Sequence, residues 1–368
     1  MKLTIFTPLY NRKKDIVNLY HSLQRQSDFD FEWLVIDDGS TDNPKELFDE
    51  ILVEENPFEI VFLQQPNGGK HRAWNYALRQ ARGEYFVVCD SDDWFTDDAV
   101  EKMLCWLDEV AQEPDLSGVA GLKESPEGQL LLWKEDGTGV IDLYGGAPDF
   151  SGTLDADFYE ILTHGMRGDR CEIIKTEVLK KYPFPEYEGE NFLTEGILYN
   201  RMIRDGIKLR WHTEVLEICE YQTGGLTQSG MQKFIANPKG YATYIREDIC
   251  SEEDRKEIFY DYYLNLKDCL PTEEIAKNLG VESPSFFDEM RNKRLEDRKK
   301  ELHLMEEVLQ TRQNLEAAGE ELYRQMLPQL QLLLAKGLRD KTEGALFLNR
   351  TPEEAREMID REFERIKG

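Results

Sequence analysis

Three aspartates in four residues, Asp90-Ser91-Asp92-Asp93, follow directly on the apolar run Tyr85-Phe86-Val87-Val88-Cys89. Like charges this close repel, so the cluster is costly unless a cation or hydrogen-bond donors compensate. A hard divalent ion, Mg2+ or Mn2+, takes carboxylate oxygens together with phosphate oxygens. Such an ion would bridge the chain to a nucleoside diphosphate and neutralise the charge that develops on it as a leaving group. The plainer use of the same residues is to cap a helix beginning near Thr96.

Three more polar clusters follow strand-like runs: Thr7-Pro8-Leu9-Tyr10-Asn11, Asp37-Asp38-Gly39-Ser40-Thr41-Asp42 and Asn67-Gly68-Gly69-Lys70-His71-Arg72. The last puts basic side chains and free backbone N–H groups at a helix start, where an anion can bind. It is not an ATP P-loop, because His71 stands where Ser or Thr is needed, and no Gly-x-Gly-x-x-Gly follows the first strand.

The elements that must position these clusters alternate. Apolar runs predict strands over Leu3–Thr7, Phe31–Ile36, Glu59–Leu63 and Glu84–Cys89. Helical spacing predicts helices over Lys14–Gln26, Pro44–Leu52, Lys70–Arg82 and Asp97–Glu109, with Ser40-Thr41-Asp42 offering caps to the second. This order implies a mostly parallel sheet with helices on both faces, and ligands beyond its carboxyl edge. All four clusters then share one rim. Loops and hairpins are expected from Ser117 to Phe150. A strand entering a helix is expected over Cys171–Lys181, a helix capped by Thr194 over Thr194–Arg204, and a strand over Leu209–Tyr221. Beyond about residue 245 the chain is rich in Glu, Lys, Arg, Gln and Leu and reads as helical, with breaks at Gly319 and Pro328. Thr351-Pro352-Glu353-Glu354 opens a last helix. Heptads are not sustained, so the tail is expected to pack or self-associate instead of forming a long coiled coil.

In this order and spacing the four clusters resemble the family 2 glycosyltransferases, inverting enzymes that share a Pro-x-Tyr-Asn start, an Asp-Asp-Gly-Ser-x-Asp turn, an Asn-x-Gly helix entrance and an Asp-x-Asp signature. The resemblance covers about residues 1–235. It implies an α/β fold of the GT-A type, a Rossmann-like mixed, mostly parallel sheet that binds a nucleotide sugar. Divided accordingly, the chain has a catalytic domain over 1–240, a helical connection over 241–284 and an all-helical C-terminal extension over 285–368. Family roles would put Thr7, Pro8, Tyr10 and Asn11 beside base and ribose, and Asp38 on the base, commonly uracil. Lys70 and Arg72 would lie near the diphosphate. Asp90 and Ser91 would border the nucleotide, with Asp92 the main ligand of Mn2+ or Mg2+ and Asp90 beside it. Asp93 and Asp169 would serve the sugar or acceptor side.

An inverting transfer needs a base for the acceptor hydroxyl. The family usually supplies a Glu-Asp pair at a late helix; helix register places Glu195-Gly196 there, with glycine in place of aspartate. Glu195 is the expected base and Glu190 the second candidate. The lone histidines His164 and His212 read as structural, and Trp74, Trp94 and Trp211 as core or sugar-stacking residues.

The formal net charge of −28 argues against nucleic acid as a partner. The six cysteines are scattered without metal spacing, which suits reduced thiols. The first apolar run is too short for a signal peptide and no run is long enough to span a membrane. The expectation is therefore a cytoplasmic protein, working at most peripherally at the inner face of a membrane. Its partners would be a nucleotide-sugar donor and a glycan or lipid-linked acceptor, with homo-oligomers formed through the tail. Two rival readings are a sugar-phosphate nucleotidyltransferase, which would need a Gly-rich, Arg-bearing loop after the first strand, and a non-catalytic binding or scaffold protein on a degenerate fold.

Overall fold

The computed structural model of the chain describes residues 1–135, 141–220 and 230–367. Its strands are β1 Leu3–Leu9, β2 Phe31–Asp37, β3 Glu59–Gln64, β4 Tyr85–Val88, β5 Trp94–Phe95, β6 Leu116–Glu124, β7 Lys134–Glu135, β8 Ile141–Asp142, β9 Thr153–Asp157, β10 Arg170–Lys175 and β11 Lys208–Ile218. The main sheet runs β3-β2-β1-β4-β10-β6-β11-β5, with β9 on β11, while β7 and β8 pair separately. β1 is parallel to β2, with Leu9 opposite Asp37, and to β4, with Phe6 opposite Val88. β10 is antiparallel to both β4 and β6, and β11 is parallel to β6 with Glu217 opposite Lys123. One rim therefore collects the ends of β1, β2, β3, β4, β6 and β11 and the start of β10.

Central strands are apolar on both faces because helices cover both. Leu3, Ile5, Trp33 and Val35 point into a core with Leu19, Leu23, Phe48, Met103 and Leu107, from the helices Ile16–Gln24, Pro44–Ile51 and Ala99–Val110. Phe6, Leu34 and Ile36 point into the opposite core with Ala73, Trp74 and Ala77 of helix Lys70–Gln80 and Ile197, Leu198 and Met202 of helix Gly196–Arg204.

The chain divides into one unit over Met1–Lys134 and Ile141–Leu270 and another comprising Pro271–Gly368. The expected divisions at 240 and 284 differ from this, since helices Pro238–Arg246 and Glu252–Leu266 fall inside the first unit. In the second, the long helix Ser285–Ala318 packs on Glu320–Gly337 and Pro352–Lys367 around Leu302, Met305, Leu309, Leu334 and Ile359. Pro328 does not break its helix. One backbone bond is lost while Leu330 and Leu334 hold the following turns in the core. Among the described residues, no helix is long and apolar enough to cross a membrane.

Two further expectations change. Leu116–Glu124 is a strand of the main sheet, where loops and hairpins were expected from Ser117 on. Its Gly118 and Gly121 lower its strand signal but let neighbours close in; a Cβ on Gly118 would lie 2.0 Å from the Ile173 carbonyl oxygen. Ser40 and Asp42 do not cap the next helix, which starts after Asn43 in a left-handed conformation with no side-chain cap. Tyr221, at the end of the expected last strand, lies outside the described residues.

Candidate active site

The rim is assembled from loop-to-loop bonds. Asn11, at φ 54, accepts the Thr41 amide at 2.7 Å, while its own amide donates to Ser40 Oγ at 2.9 Å and the Lys13 amide to Asp42 Oδ2 at 2.8 Å. These bonds zip the end of β1 to the end of β2 and leave Tyr10 half exposed beside them. Pro8 is partly buried at the same strand end, whereas Thr7 is fully buried and accepts the Trp33 indole N–H at 3.0 Å. Thr7 therefore shapes the strand end from below and does not line the rim.

Asp38 is buried and both its oxygens are taken. Oδ1 accepts Gln65 Nε2 at 2.7 Å and the Gly68 amide at 2.9 Å; Oδ2 accepts the Gly69 amide at 2.7 Å and Asn67 Nδ2 at 3.2 Å. A carboxylate has about four lone-pair positions, all used here. The expected base contact through this side chain is replaced by a positioning role, and the glycine amides expected to be free for an anion are spent on Asp38. Gly69 is at φ +94, and a Cβ on it would sit 1.8 Å from the Asn191 carbonyl oxygen. The loop is thus clamped between Asp38 and the 191 backbone.

That clamp aims Lys70. Its Nζ lies 2.8 and 2.9 Å from the two oxygens of Asp90 and 2.9 Å from Glu195 Oε1. Burial works against the ammonium, but Asp90 and Glu195 outweigh it and hold its pKa well above the ordinary lysine value. Burial likewise pushes Asp90 up, and Lys70 and Lys123 overcome it and pull its carboxyl below the usual range. Asp92 is raised by burial and by the charge of Asp90. It faces Arg12, whose guanidinium is 3.7 Å away. Ser91 is buried between the two. The structure therefore brings Asp90, Asp92, Lys70 and Glu195 to one place.

Asp93 turns inward instead of toward the sugar or acceptor side. Its Oδ2 accepts the Cys219 thiol at 2.9 Å and lies 3.8 Å from Lys123 Nζ, which pairs with the fully buried Glu217 at 2.6 Å. Burial drives the Asp93 pKa well up, against the pull of Lys123, and burial also raises the Cys219 thiol. Lys123, Glu217 and Cys219 were not singled out in the sequence. Local sequence did not mark them: Lys123 adjoins Glu124, and Glu217 is one of several charged residues of β11. Arg12, one residue past the first cluster, was also missed.

Other expected residues are occupied elsewhere. Glu190 accepts the amides of Lys239 and Gly240, both at 2.8 Å, and so caps helix Pro238–Arg246; a base there would have to give up both bonds. Arg72 donates to the Tyr187 carbonyl and lies 3.8 Å from Glu186, not beside Asp90 or Asp92. Asp169 is exposed at the start of β10, beside Arg170, whose partner Glu172 meets the Tyr199 hydroxyl at 3.5 Å one turn past Glu195. Helix Gly196–Arg204 starts after Glu195, with Thr194 Oγ1 accepting the Gly196 amide at 3.3 Å. A Cβ on Gly196 would sit 2.7 Å from Tyr244 Cε2, so the tyrosine ring fills the place of an aspartate side chain. His212 stacks on Trp106 and His164 pairs with Asp149.

Carboxylates thus stand at the end of a central strand of a mixed sheet, with a second acid across a lysine, and most of them lie in a segment that sequence comparison matches. Residues 4–123, about a third of the chain, match the profile of glycosyl transferase family 2, so this segment is similar to that family. Glycosyltransferase GlyG of Streptococcus pneumoniae is 30% identical over 119 residues, 32% of this chain and 38% of its own length. The poly(ribitol-phosphate) beta-N-acetylglucosaminyltransferase TarS of Staphylococcus aureus is 34% identical over 112 residues, 30% of this chain and 19% of its own. The chain thus spans under two fifths of the length of either relative. A solved structure of S. aureus TarS in complex with UDP-GlcNAc aligns over 78% of each chain at a TM-score of 0.49 and 19% identity.

Proposed function

We propose that the protein moves a sugar, with inversion, from a nucleoside-diphosphate sugar, UDP-linked, to a hydroxyl of a polysaccharide, lipid-linked or other glycan acceptor. The observation that carries this reading is the Asp90–Lys70–Glu195 bridge, which sets a metal-side carboxylate and a candidate base on either side of one ammonium. The donor set suits a hard divalent ion. Asp90 and Asp92 offer carboxylate oxygens, and Asp90 Oδ1 is buried without a hydrogen bond although Lys70 lies beside it. Asp90 and Asp92 would hold Mn2+ or Mg2+, which when bound neutralises charge on the departing diphosphate.

The chain's own residues do the rest. The exposed Tyr10 and the Asn11 turn border the nucleoside. Lys70 adds positive charge where the diphosphate leaves. Glu195, at the start of its helix and one third exposed, takes the proton of the acceptor hydroxyl as that oxygen attacks the sugar carbon. The match of residues 4–123 to the glycosyl transferase family 2 profile and the 34% identity to TarS over 112 residues support this reading. It is tested by transfer and hydrolysis assays with labelled UDP-sugars and Mn2+. Glu195→Gln should retain UDP binding and lose turnover by at least about a hundredfold, and Asp92→Asn should weaken both. Equal, slow turnover of every donor by wild type and Asp92→Asn would favour the scaffold reading, to which Tyr244 over Gly196 lends its one observation.

A further inference from the structure

Each carboxylate of Asp90-Ser91-Asp92 already faces a cation of the protein itself. Lys70 lies within 2.9 Å of both Asp90 oxygens, and Arg12 lies 3.7 Å from Asp92. The two contacts differ in kind. Arg12 is split between Asp92 and Asp15, which it meets at 3.3 Å. Lys70 is held on two sides by Asp90 and Glu195, and from behind by a glycine that admits no side chain.

We propose, on the basis of the donor reading above, that Lys70 is the resident counter-ion of the metal-binding carboxylates. It occupies Asp90 before loading and must yield it to an entering divalent cation. A metal arriving alone competes with an ammonium at contact distance and finds no new partner for the lysine. A metal arriving with a nucleoside diphosphate brings phosphate oxygens to which Lys70 can transfer while it keeps Glu195. Lys70 thereby makes metal and nucleotide binding cooperative and leaves Glu195 paired in both states. Lys123 cannot do this, because it is buried against Glu217 at 2.6 Å. A purely structural lysine, tying the helix start to the 190–195 segment, predicts the opposite sign: its removal would loosen the site and weaken metal binding.

The test is titration calorimetry on the full chain with Mn2+ alone and with Mn2+ at saturating UDP, for wild type, Lys70→Met and Lys70→Arg. Lys70→Met should bind Mn2+ alone about tenfold more tightly than wild type, and the enhancement of Mn2+ affinity by UDP should shrink by a similar factor, since coupling is reciprocal. Lys70→Arg keeps the charge and should bind Mn2+ alone no more tightly than wild type. The proposal is overturned if Lys70→Met binds Mn2+ alone no better than wild type, or if Lys70→Arg binds it better. Should Lys70→Met fail to fold, the wild type still decides: equal Mn2+ affinity with and without UDP removes the coupling. Failure of wild type to bind UDP under any condition sinks the donor reading, while the Mn2+-alone comparison still judges the lysine.

Discussion

Removal of the Asp38 carboxylate separates a positioning role from a ligand contact. In Asp38→Ala three donors lose their acceptor, the Gly68 and Gly69 amides and the side chain of Gln65, while Asn67 Nδ2 keeps the Asp38 carbonyl oxygen at 2.9 Å. The Gln65 side chain can turn toward water. The two backbone N–H groups cannot, because Gly69 is pinned against the Asn191 carbonyl. Hydrogen bonds to a charged acceptor contribute about 1.5–3 kcal/mol each, so the two fixed bonds set a loss of about 3–6 kcal/mol. That is a large share of a typical domain stability of about 5–15 kcal/mol. Asp38→Asn retains one acceptor and presents an NH2 to the other donor, so about half the loss is expected. The assay is urea unfolding followed by tryptophan fluorescence, paired with hydrogen exchange of the 65–72 segment. The expected result is an earlier transition and faster exchange at Gly68 and Gly69, without any nucleotide present. If Asp38→Ala unfolds at the wild-type urea concentration with those amides still protected and loses only UDP binding, the positioning argument is refuted.

Gly196→Ala should cost about 1–3 kcal/mol by overpacking against Tyr244, and almost nothing in a Tyr244→Ala background; equal costs in both backgrounds, measured by thermal unfolding, would show that the ring is not the obstacle. Glu190→Gln should lower stability by about 1–2 kcal/mol through a weakened helix cap while UDP affinity stays within twofold, and unchanged stability with lost turnover would restore its candidacy as the base. Burial and the neighbouring Arg72 hold His71 neutral, with a pKa of about 4, and burial and Arg210 do the same for His212. The unfolded chain therefore takes up protons below about pH 6.5 that the folded chain refuses until about pH 4. Stability should fall across that window as pH drops, by about 2 kcal/mol for each histidine on reaching pH 5. His212→Phe, which keeps an aromatic ring against Trp106, should halve the slope of the urea midpoint with pH, and an unaltered slope would contradict the assignment.

The carboxylate cluster on the rim was legible because its residues are contiguous. Asp90 to Asp93 follow their strand without a gap, and a parallel sheet brings strand ends together whatever its register. What escaped depends on pairing that no local pattern encodes. The partners of Asp38 lie 27 to 31 residues further on. Lys123 and Glu217 meet because β6 and β11 are neighbours across a long crossover, and β6 itself was hidden by its glycines. Glu190 and Glu195 are alike in sequence; only the placement of helix Pro238–Arg246 over the first and Lys70 beside the second distinguishes them.

The antiparallel insertion of β10 has a consequence for how this architecture can diversify. The chain leaves the sheet at Glu124 and re-enters at Arg170, which is paired with Leu122 on the adjacent strand. Exit and re-entry are thus one strand spacing apart, about 5 Å, on the rim that holds the carboxylates. The excursion between them contributes β9 as an edge strand on β11 and none of Asp90, Asp92, Lys70 or Glu195. Its exposed turns can lengthen or shorten cheaply, whereas β9 on β11 and the buried Leu132, Phe158, Ile161 and Met166 must be kept for the sheet and its core to stand. A lineage built on this sheet can rewrite the turns above this rim while Asp90, Asp92, Lys70 and Glu195 keep their places.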